Sequence, residues 1–143
     1  MDPTTLNILL DWSEDFALYL AKGTAPVDST SQCPALGRLA HEVVSSPSSL
    51  QQVLARYTDG HLSHASQPLW LDMSHVPQRD YAPMLGVLNT GRGSSTVGKG
   101  NPVLLQVPED AINLIREDYA DLWSMHQGAV VDFSGWKKQP PEL

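Results

Sequence analysis

The chain is poor in cysteine, in basic residues and in long apolar runs. One cysteine, Cys33, stands among 143 residues, which excludes an internal disulfide and any disulfide-framework fold. Nine lysines and arginines oppose sixteen acids, for a net charge of −7, and no window clusters the bases. A sequence-blind nucleic-acid binder neutralises phosphates with such residues, so nucleic acid is not the expected partner. An anionic membrane surface is excluded on the same ground. No stretch approaches the roughly 20 apolar residues of a membrane helix. No basic region precedes an apolar run at the start, so no secretory signal is expected and the location expected is cytoplasmic.

What is present suits one globular unit. Apolar residues make up 41% and charged residues 17%, lean in charge but far from the composition of a disordered chain. This length buries roughly two-thirds of the surface of the unfolded chain. The acids are uneven. Residues 1–27 hold Asp2, Asp11, Glu14 and Asp15 against Lys22, and residues 109–121 hold five acids against Arg116. Solvated helix faces explain both groups. Such faces can also steer a basic partner.

Periodicity predicts a first helix over about residues 3–22. Asp2 caps it, Pro3 opens it and Gly23 ends it. Leu6, Leu9, Leu10, Phe16, Ala17 and Leu20 form its apolar stripe. Trp12 and Tyr19 lie beside Ile8 on a flank, where they widen the buried face or form a separate contact patch. Pro34 opens a short helix with Leu36, Leu39, Ala40, Val43 and Val44 on one face, and SSPSS at 45–49 breaks it. Ser46 and Pro47 restart a helix that Asp59-Gly60 closes, with Leu50, Val53, Leu54 and Tyr57 inward. The runs 69–73, 84–89 and 103–107 read as strands, 108–127 as a helix and 129–133 as a fourth strand. Short connections between the strands predict antiparallel pairing.

The expected fold is therefore a single α+β domain over 1–143. N-terminal helices pack on a small, mainly antiparallel sheet of three to four strands, with one further helix near 109–127. Residues 1–60 form a helical part, 61–135 the sheet plus a helix, and 136–143 a tail.

Three features invite chemistry. GSSTVGKG at 93–100 has the spacing of a phosphate loop, yet Gly100 stands where Ser or Thr would hold magnesium. Asn101-Pro102 and an apolar run follow, instead of a helix whose N-terminus meets phosphate. The stretch reads better as a loop whose Arg92 and Lys99 can grip an anion or an acidic peptide. His61, His64, Asp72 and His75 could supply four metal ligands, but their spacing matches no strong zinc pattern. Loop histidines that are solvated or hydrogen-bonded to backbone are the plainer reading. Cys33 precedes Pro34 at a helix start, which favours a thiolate. With His61 or His64 as base and Asp72 or Asn89 as orienting group, it would form a small cysteine hydrolase. As a small buried hydrophobe it would do nothing chemical.

Of the four tryptophans, 12, 70, 123 and 136, Trp136 stands next to Lys137-Lys138 and is either exposed or docked back on the body. The function expected is a small acidic protein–protein interaction protein of adaptor, inhibitor, immunity or assembly-chaperone type, without catalysis or cofactor. Its partner surface would draw on Asp11, Trp12, Glu14, Asp15, Arg92, Lys99 and Trp136. The partner expected is another protein, a basic surface being one that these acidic faces would suit, and a second copy of the chain is compatible with the composition.

Overall fold

The computed structural model describes residues 1–12, 17–58, 68–90 and 102–136. In chain order these form α1 (Pro3–Trp12), β1 (Ala17–Lys22), α2 (Ser29–Gln32), a 3-10 turn (Pro34–Arg38) and β2 (Ala40–Val43). Next come α3 (Pro47–Thr58), β3 (Leu69–Asp72), α4 (Tyr81–Thr90) and β4 (Pro102–Val107). The chain continues through α5 (Ala111–Asp118), α6 (Ala120–Met125) and β5 (Val131–Asp132) to a last 3-10 turn, Phe133–Gly135.

The five strands form one sheet in the order β2-β3-β4-β1-β5, and every pairing is parallel. This overturns the expected three- to four-stranded, mainly antiparallel sheet. Two misread segments carry the correction. Residues 84–89, expected as a strand, lie inside α4, because a short apolar run does not by itself separate strand from buried helix. With α4 in place, β3 reaches β4 by a helical crossover, and the pair can be parallel. The second segment is 17–22. It continues the apolar stripe of α1 on paper but forms β1, whose first five residues are all buried. Strands covered on both faces read as continuous apolar runs, not as alternation. Residues 1–60 thus contribute two strands, since β2 also lies within the stretch expected as a short helix after Pro34. The helix expected over 108–127 is interrupted at Tyr119, between α5 and α6.

Both faces are covered. On one, Leu18, Leu20, Leu69, Leu71, Val103 and Leu105 meet α3, α4, α5 and α6 in a wholly apolar layer. On the other, Tyr19, Trp70 and Leu104 meet Leu6 and Leu10 of α1, Ala35 and Leu36 of the first 3-10 turn, and Phe133. Burying each such leucine contributes about 1.5–3 kcal/mol relative to leaving it in water. The crossovers agree with one hand of winding. Steps from β2 toward β5 pass over the α3–α6 face, and the return from β1 to β2 passes over the other.

α3 begins on a reciprocal serine cap. Ser49 N–H donates to Ser46 Oγ at 3.2 Å, and Ser46 N–H donates to Ser49 Oγ at 3.1 Å. No helix among the described residues is long and apolar enough to cross a membrane.

Candidate functional site

The reversal of winding lies between β1 and β4, whose carboxyl ends are where open parallel sheets hold ligands. Here that position is filled by a side chain. Gln106, buried at the end of β4, donates from Nε2 to the Gly23 carbonyl at 2.7 Å. Its Oε1 accepts from the Trp70 indole N–H at 2.8 Å. Gly23 turns the chain out of β1 at a φ of +87°, a conformation that glycine adopts without strain, and its N–H bonds the Val107 carbonyl.

The same Trp70 carries a second polar group toward the edge of the sheet. Register sets His41 of β2 beside it, and the imidazole stacks flat on the indole with centroids 3.8 Å apart. His41 Nε2 lies 2.8 Å from Asp72 Oδ2. The other oxygen of Asp72 accepts from Ser74 N–H at 3.0 Å and from Ser74 Oγ at 2.6 Å. The carboxylate is nearly buried, while 41% of the imidazole surface is exposed. The result is an imidazole held on one ring face and at one nitrogen. No thiol or metal-ligand group joins it: among the described residues no three His, Cys, Asp or Glu side chains converge on a point.

The residues singled out in the sequence fall apart in space or outside the described segments. His61, His64, Glu14, Asp15, Arg92 and Lys99 lie outside the described residues. Asp72 turns to His41, a histidine the sequence reading placed on a helix, and His75 is exposed. Cys33 is fully buried. Its sulfur faces Asn7 Oδ1 at 3.9 Å, and burial pushes the thiol up from its ordinary pKa. That is the reverse of an activated thiolate. Asn7 Oδ1 also accepts from Ala35 N–H at 2.7 Å, so the thiol sits in the joint between α1 and the first 3-10 turn. Trp136 is docked. It packs edge-on against Phe133 at 4.8 Å, and its indole N–H donates to the Met1 carbonyl at 3.2 Å.

Trp12 is the opposite case. It ends α1 with 81% of its surface exposed, and Ile8, one turn earlier on the same flank, is 49% exposed. Asp11 beside it is ion-paired with Arg38, the last residue of the first 3-10 turn. An open hollow of about 200 Å³ adjoins that pair, lined by Leu10, Ala35, Leu39, Pro68 and Pro102 as well. The side of α1 away from the core thus presents two large apolar side chains, while the hollow opens on the side of Leu10 and Asp11.

Comparison with protein-family models, with curated proteins and with solved structures finds no match to this chain.

Proposed function

We propose that the chain is a small acidic protein-binding domain that docks another protein through the outer flank of α1. The observation that carries this is Trp12, 81% exposed beside the exposed Ile8. Scattered surface apolar residues need no explanation. A tryptophan is different, because it offers the largest apolar area of any side chain and is enriched among the residues that dominate binding energy. The hollow beside Asp11 and Arg38, with Leu10 and Leu39 in its lining, offers a second place for a partner's apolar side chain. The acidic contribution is long-range. Asp11 is already paired with Arg38, so attraction of a basic partner rests on the net charge of −7 more than on that one carboxylate. Catalysis through Cys33 loses its support, since the buried thiol favours its protonated form.

The test is a photo-crosslinking amino acid placed at position 12 and, separately, at Val27, an exposed apolar position outside the patch. A discrete protein adduct in the native host from position 12 and none from position 27 is the expected outcome. Equal labelling from the two positions, or none from either, removes the proposal.

A further inference from the structure

We draw no further inference here: the strongest candidate, the outer edge of the sheet along β2 at His41 and Val43, carries none, because nothing in the structure shows what covers it and its acidic side chain, Glu42, is already paired with Arg56.

Discussion

One turn chemistry closes both β3, the neighbour of the open edge strand β2, and β5, the other edge, yet the two edges meet opposite fates. β3, next to the β2 edge, closes with Asp72-Met73-Ser74, and β5, the other edge, closes with Asp132-Phe133-Ser134. In each the aspartate Oδ1 accepts from the serine hydroxyl at 2.6 Å, and from the serine N–H at 3.0 Å in the first and 3.1 Å in the second. At β5 the chain then folds back. Phe133 and Trp136 pack together against α1, the Met1 amino group donates to the Val130 carbonyl, and Trp136 donates to the Met1 carbonyl. At β2 no such cover exists among the described residues, and the outer main chain stays open. A turn motif stops a strand; what happens to the edge depends on what the following residues bury.

The largest way to break this contrast is to empty the covered side. Phe133→Ala removes a fully buried ring and should destabilise the fold by about 3–5 kcal/mol in urea denaturation. Amide exchange should rise first around Val131 and Trp136, with β2 unaffected short of global unfolding. Equal loosening of both edges would mean that they are not independent.

A smaller effect is expected at the open side. Asp72→Ala takes the acceptor from His41, Ser74 N–H and Ser74 Oγ at once, and should cost about 1–3 kcal/mol. Exchange at Glu42 should quicken more than exchange at Leu105. If Glu42 stays as protected as before, the His41–Asp72 contact does not hold the edge strand.

The smallest effect is a titration. The bonds from Ser134 hold the Asp132 carboxyl below its ordinary value of 3.8, with help from Lys22 at 3.8 Å. A carboxyl whose pKa is lowered by folding contributes stability that is present above its unfolded value and lost as pH falls through the folded one. The β5 edge should therefore loosen only below pH 3.8, and Ser134→Ala should move the Asp132 titration, followed by NMR, back up toward that value. An unshifted titration in the variant would show that the serine bonds do not set it.

Part of this molecule was legible before folding. The start of α3 follows from Ser46-Pro47, and the apolar runs after Pro68 and Pro102 are strands where expected. The flank of Ile8, Trp12 and Tyr19 was legible only in part: Ile8 and Trp12 are exposed, but Tyr19 is buried in β1. The strand identity of 17–22 was hidden, because in Ala17-Leu18-Tyr19-Leu20-Ala21 both alternate side-chain rows are apolar, and the stripe of a helix fits them as well. His41 was hidden for a related reason. In Ala40-His41-Glu42-Val43 nothing marks an edge strand, and its partner Asp72 lies 31 residues away.

By itself the sequence determined the class of surface and the local stops. One cysteine, a net charge of −7 and no long apolar run follow from composition, and caps and turns follow from residues within a few positions of each other. Only the tertiary structure decided that the sheet is parallel, that Trp136 is buried while Trp12 is not, and that His41 meets Asp72. The physical reason is range. Turn and cap chemistry acts through neighbouring backbone groups, whereas strand order and burial depend on which apolar faces find each other across the whole chain. A buried parallel strand carries no periodicity that would announce its partner.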